Sequence, residues 1–254
     1  MKFPLNGKYS TGEIVIIDGK RYFKKTVKLP RHIDPGITTQ SIYAYRKQLA
    51  ENGIKTTALH SHKINKIDNS VILTERFYDK SLEIIIGNAT KEIVRHLFRR
   101  LLNLVSKIYS TSQNPKIIVE VKPSNFLLER NRLLYCDFVP PRLYKPGKGY
   151  PQLEFYQNPS ASKRKSLEFR FLTEEGAYYY LLLHTISIRP SFSKLFVNEM
   201  LSTINKPGLR RALHKRLSSR EFKADQKKFV TFYTARAKAY RAFDSRRRSI
   251  NHGI

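Results

Sequence analysis

Residues 119–138 read VEVKPSNFLLERNRLLYCDF. An acid, Glu120, and a lysine, Lys122, precede Pro123-Ser124-Asn125, and Asp137-Phe138 closes the stretch. Between them the apolar runs FLL and LLYCDF flank the polar ERNR, the pattern of a tight hairpin. A hairpin returns the chain to where it began, so Asn125 and Asp137 are expected within a few ångströms of each other. An acid, a lysine, an amide and a second acid gathered in this way raise the question of a phosphate-transfer loop. The competing reading is an ordinary loop joining two strands.

Upstream, EIVIIDGKRYFKKTV (13–27) is two β-rich runs joined by Asp18-Gly19, residue types that tolerate the positive φ of a hairpin turn. Residues 38–52 are expected to be helical, with Ile42, Tyr45 and Leu49 on one face and a stop at Asn52-Gly53. Two more strands are expected, one from Thr57 to Ile64 and one over 71–75, joined by the polar KIDN turn. The result is a small β-rich N-terminal part, residues 1–76, with one helix.

From residue 77 the pattern changes. A helix is predicted over 90–111, with Ile93, Leu97, Leu101, Leu104 and Ile108 inward and Lys91, Arg95 and Arg99 on a solvated face. A strand is expected at 117–119, before the opening stretch. Residues 140–168 are rich in Pro, Gly, Lys and Ser without a clear period, and read as a loop. Helices are expected over 173–188, 193–204, 208–218 and 220–244. The fold class is therefore α+β: a small β-rich N-terminal lobe, 1–76, and a larger, mostly helical C-terminal lobe, 77–254.

This order of elements and motifs resembles the protein-kinase-like superfamily, and within it the small-molecule kinases of aminoglycoside, choline or lipopolysaccharide type. The resemblance spans roughly residues 5–190. That family's catalytic loop carries an acid, then Lys-Pro-x-Asn ending five residues later, then Asp-Phe after a hairpin. Here Glu120, Lys122-Pro123-Ser124-Asn125 and Asp137-Phe138 match. The resemblance implies a two-lobed fold and an ATP- and magnesium-dependent phosphotransferase, with Glu120 and Lys122 catalytic and Asn125 and Asp137 holding magnesium. Two departures stand out. The acid is Glu where the family has Asp, a displacement of about 1 Å that can cost roughly 10²-fold in rate. Ile118-Val119 replaces the usual His or Gly before it.

For the nucleotide, the resemblance assigns Gly7 and Gly12 to a phosphate-covering loop in which Tyr9 replaces the middle glycine. YFKK (22–25) matches the strand bearing the phosphate-contacting lysine; Lys25 fits by alignment and Lys24 is the alternative. Thr74-Glu75 resembles the segment that meets adenine through its backbone. The helix at 38–52 lacks the glutamate that pairs with the lysine, having only Glu51 at its far end. Together with Glu120, this opens the alternative of a kinase-like module that binds without transferring phosphate.

The net charge of +28 attracts polyanions: nucleic acid, nucleotides or an anionic membrane face. From Lys206 to Ile254 there are 15 Lys and Arg against three Asp and Glu. Lys163, Arg164 and Lys165 form one cluster; Lys238, Arg241, Arg246, Arg247 and Arg248 form another, beside a stripe of Phe222, Phe229, Tyr233, Tyr240 and Phe243. A phosphorylated or polyanionic acceptor is expected, RNA or a phosphorylated saccharide-lipid; the plain alternative is a solubilising face. One cysteine, Cys136, excludes an internal disulfide and a Cys-based zinc site, and points to a reducing, cytoplasmic setting. No secretory signal is evident, and AYYYLLLHTISI (177–188) is too short to span a bilayer, leaving peripheral contact with an anionic membrane. His60 and His62 share a strand face but lack a third ligand, and read as a surface pair. Tyr178–Tyr180 are expected to pack in the helical part.

Overall fold

The computed structural model describes residues 2–7, 10–79, 81–109, 117–139, 141–142 and 160–251, with side chains over 10–235 of these. Among them the chain is α+β, with an antiparallel sheet at the N-terminal end followed by a mostly helical part. The strands are β1 (Lys2–Gly7), β2 (Ser10–Ile17), β3 (Lys20–Lys28), β4 (Leu59–Asn65) and β5 (Ser70–Arg76), in the order β1-β2-β3-β5-β4. Asp18 and Gly19 take φ of 49° and 70°, the left-handed turn that the β2–β3 hairpin requires.

Helix α1 (Pro35–Glu51) starts where Asp34 Oδ1 accepts a 2.8 Å hydrogen bond from the Ile37 amide, with Pro35 in the first turn. It buries Ile42, Tyr45 and Leu49 as expected. Tyr45 is fully buried and its hydroxyl donates to the Ile118 carbonyl at 2.7 Å, tying α1 to the segment before the hairpin. Residues 117–121 are buried but form no strand, which corrects the expectation at 117–119. Their apolar side chains pack in the core instead of pairing in a sheet.

Helix α2 (Leu82–Asn88), absent from the sequence reading, buries Leu82 and Ile86. Helix α3 (Lys91–Tyr109) buries Leu97, Leu101 and Ile108 of its expected face together with Val94, Phe98, Leu102 and Val105, while Ile93 is half exposed. Arg95 and Arg99 are not simply solvated. Both pair with the buried Glu199, at 3.1 and 2.5 Å. Glu199 lies on α6 (Ser193–Thr203), so the basic stripe clamps a neighbouring helix.

The hairpin of β6 (Phe126–Glu129) and β7 (Arg132–Tyr135) turns at Arg130-Asn131, with φ of 42° and 67°. Helix α4 (Ala161–Leu172) begins inside the stretch expected to be a loop, because Ser160 caps it by accepting from the Lys163 amide at 3.3 Å. Helix α5 (Glu174–Ile188) is buried nearly all round. It passes so close to α4 that a Cβ at Gly176 would sit 1.8 Å from the Phe169 carbonyl oxygen. Helices α7 (Pro207–Leu217) and α8 (Arg220–Asn251) follow. Helix α8 packs along α5 through Phe222, Phe229 and Tyr233, with Tyr179 donating to Asp225 at 2.8 Å, and it also lies against β1. No helix of the described residues is long and apolar enough to cross a membrane.

Candidate functional site

The β6–β7 hairpin does what its sequence pattern requires. Phe126 pairs with Tyr135, and the Cys136 amide donates to the Asn125 carbonyl at 3.0 Å, so the chain leaves the hairpin beside its entry. Asn125 Nδ2 lies 3.2 Å from Asp137 Oδ2, 3.2 Å from Glu120 Oε2 and 3.1 Å from the Glu120 carbonyl. All three partners only accept, which fixes the amide orientation and turns the side-chain oxygen away from them.

From the sheet, Lys25 Nζ comes to 3.9 Å from Asp137 Oδ1. Lys24 points to the other face of β3 and pairs with Glu13 at 2.8 Å, so of the two candidates Lys25 is the one at the centre. Gly12 pairs with Lys25 across the ladder, and the Phe23 ring covers it; a Cβ there would meet the ring at 2.3 Å. Packing therefore already demands a glycine at this position. Gly7 ends β1, and residues 8 and 9 lie outside the described residues.

The assignment of Thr74 and Glu75 needs correction. They sit on β5 between β3 and β4, where backbone groups are committed to strand pairing and not open to an adenine edge. The Glu75 side chain instead points inward and accepts a hydrogen bond from Thr57. Burial pushes its carboxyl upward, against the Thr57 bond and the charges of Lys25 and Arg46. Arg46, on α1, donates to the Thr57 carbonyl at 2.6 Å and stacks 4.5 Å over the Phe138 ring. Where the resemblance expects a helix glutamate, α1 thus turns a cation toward the site and β5 provides the buried acid.

Glu120 is buried and saturated. Its Oε1 accepts from Lys122 at 3.0 Å and from Arg170; its Oε2 accepts from Arg142 at 2.9 Å and from Asn125. A carboxylate offers about four acceptor sites, and all are used. Burial alone would raise its pKa, but Arg170, with Lys122 and Arg142, overrides that and holds the carboxyl well below its ordinary range. A carboxylate so held is a poor proton acceptor.

Arg142 and Arg170, which the sequence reading did not single out, organise the centre. Arg142 NH2 donates at 2.9 Å to both Glu120 and Asp137, and NH1 donates to the Tyr135 hydroxyl at 2.6 Å. Arg170 reaches Glu120 from α4 and donates to His184 Nε2 at 3.1 Å; His184 Nδ1 in turn lies 2.9 Å from the Tyr233 hydroxyl. Because arginine only donates, Nε2 is the acceptor and Nδ1–H faces Tyr233. The one local signal was the arginine five residues after Asp137; Arg170 had none, since only tertiary packing brings α4 here.

Five cations, Lys25, Arg46, Lys122, Arg142 and Arg170, surround the three carboxylates Glu75, Glu120 and Asp137. This excess favours an anionic ligand. Asp137 Oδ1 and the Asn125 side-chain oxygen are the donors that fit a hard divalent cation. No cluster of three or more His, Cys, Asp or Glu suited to a metal occurs among the described residues. A magnesium ion that takes phosphate oxygens and waters needs only one or two protein ligands.

Cys136 is a free thiol that burial pushes upward, an inert neighbour of the site. His60 and His62 are exposed; His60 stacks on Tyr22 and His62 meets the Tyr43 hydroxyl at 2.9 Å. Lys163, Arg164 and Lys165 are exposed in the first turn of α4, the helix that delivers Arg170. Lys238, Arg241, Arg246, Arg247 and Arg248 lie along α8, and their side chains fall outside the described residues. No model of a known protein family matches the sequence, and no curated protein matches it.

Proposed function

We propose that the chain is an ATP- and magnesium-dependent phosphotransferase with a protein-kinase-like, two-lobed fold, acting on a hydroxyl of an anionic small molecule, saccharide or RNA. The observation that carries this reading is the convergence of Lys25 with Asn125 and Asp137 at one point. Strand β3 and the distant β6–β7 hairpin bring a phosphate-binding cation and two oxygen donors together, the set that holds a metal-bound nucleotide. Lys25 would meet the phosphates, and Asn125 and Asp137 would hold the metal, which offsets the charge of the transferring group. Lys122 lies where it can add to that charge balance. Glu120 would act by orienting groups around it, since phosphoryl transfer draws mainly on positioning and electrostatics.

The test is ATP binding with and without magnesium, followed by a labelled-phosphate screen of anionic acceptors. Magnesium-dependent binding that is lost in Lys25→Ala and Asp137→Asn is expected. Binding of no nucleotide by the intact chain overturns the reading.

One observation favours a second reading, a kinase-like module that binds polyanions without transferring phosphate. All four acceptor positions of Glu120 are occupied by Lys122, Arg170, Arg142 and Asn125, leaving none for an acceptor hydroxyl. Under that reading ATP binds and no acceptor, water included, receives phosphate.

A further inference from the structure

We infer that Arg142 is a fixed internal cation that limits the centre to one divalent metal ion beside a bound nucleotide, held through Asp137 Oδ1 and the Asn125 side-chain oxygen. The inference rests on the phosphotransferase reading and specifies its metal site.

The argument starts from the oxygens. Asp137 Oδ2 already accepts from Arg142 at 2.9 Å and from Asn125 at 3.2 Å. Glu120 has no acceptor position left, and its Oε2 shares the same guanidinium. A second metal ion would have to take Asp137 Oδ2, and so approach a permanent positive charge. Arg142 cannot simply swing aside. It is 2% exposed, and a second nitrogen donates to the Tyr135 hydroxyl and, at 3.4 Å, to the Asp137 carbonyl. Its guanidinium also lies 5.5 Å from the centre of the Phe171 ring. Nor can it lose its charge, because arginine stays protonated in proteins.

The same contacts explain why the fold tolerates the arrangement. Glu120 and Asp137 are brought side by side by the hairpin, and two carboxylates that close need a shared cation. A second metal ion would serve that purpose only while nucleotide is bound. A guanidinium built into the chain serves it always. Arg142 is thus a positioning residue: it sets which oxygen of Asp137 remains for metal and which way Asn125 can turn.

The experiment counts manganese by electron paramagnetic resonance in the full chain, saturated with a non-hydrolysable ATP analogue, with the analogue alone as reference. One bound ion per bound nucleotide in the wild type is expected. Arg142→Gln, which takes the guanidinium and its positive charge away from Asp137 Oδ2, is expected to bind a second. Arg142→Lys, which keeps the charge, should stay at one. Two ions in the wild type, or no second ion in a folded Arg142→Gln protein, overturn the inference while leaving the phosphotransferase reading intact. Nucleotide bound without any manganese overturns both. Should Arg142→Gln fail to fold, the wild-type count decides alone.

Discussion

Lys25 Nζ stands 3.9 Å from Asp137 Oδ1, with side chains 17% and 19% exposed. At that separation the pair is a loose contact that leaves room for a ligand to draw on both charges. Lys25→Ala is therefore expected to change folding stability by less than about 1 kcal/mol. A lost charge-assisted bond to phosphate should weaken ATP binding by about ten- to a hundredfold. Calorimetric titration checks this, with Lys24→Ala as the comparison because Lys24 faces Glu13 on the other side of the strand. Equal ATP affinity in wild type and Lys25→Ala would remove Lys25 from the site.

Glu120 is the counter-charge for three cations, so its loss should be felt in the fold. Glu120→Gln removes the carboxylate that faces Lys122 and Arg170 and leaves Arg142 with Asp137 as its remaining carboxylate. Breaking a buried pair this way costs about 3–5 kcal/mol. Adding Arg170→Gln to Glu120→Gln should recover part of it, because the double variant buries one cation fewer. Urea denaturation of the four proteins measures the coupling; strictly additive losses would mean that Glu120 and Arg170 act independently.

Glu120 and Glu75 should give opposite pH signatures. Glu120, held below its ordinary range, contributes stability that is present above the unfolded value of about 4.3 and lost as pH falls through its folded value. Glu75, raised by burial, contributes stability that is fully present below about 4.3 and lost as pH rises through its folded value. The deficit of Glu120→Gln should thus be large near neutrality and shrink in acid. Glu75→Gln should be no less stable than wild type at about pH 7, its amide oxygen still accepting from Thr57. Stability curves from acid to neutral pH decide; parallel curves for the two variants would refute the assignment.

The charge on α8 should be read out by salt. Each phosphate neutralised by a lysine or arginine releases counterions, so RNA binding is expected to weaken steeply as salt rises. Replacing Lys238, Arg241, Arg246, Arg247 and Arg248 with glutamine should flatten that dependence by up to about 0.7 per contact removed. Fluorescence anisotropy with a labelled single-stranded RNA measures it. Equal affinity at low salt in both proteins would leave these residues a solubilising role.

What could be read locally was the set of elements whose signals are local. Asp18-Gly19 and Arg130-Asn131 take positive φ in tight turns, and the turns set the β2–β3 and β6–β7 pairings. The α1 face of Ile42, Tyr45 and Leu49 followed from spacing alone. The meeting of Asn125 and Asp137 was legible for the same reason, since one hairpin links them. Helix α4 was missed because its sequence is strongly basic and has little apolar period, so its cap and its packing on α5 form it. The partner of Arg95 and Arg99 was missed because Glu199 lies on a helix that their spacing cannot reveal.

The sequence by itself determined the α+β class, the hairpin that joins Asn125 to Asp137, and a charge that seeks anions. Only the tertiary structure decided that Lys25 and not Lys24 faces Asp137, that Glu75 is a buried acid, and that Arg142 and Arg170 hold Glu120. The physical reason is range. Turns and amphipathic faces are set by neighbours within a few residues, whereas the charge state and availability of a buried carboxylate depend on which distant cations packing brings against it.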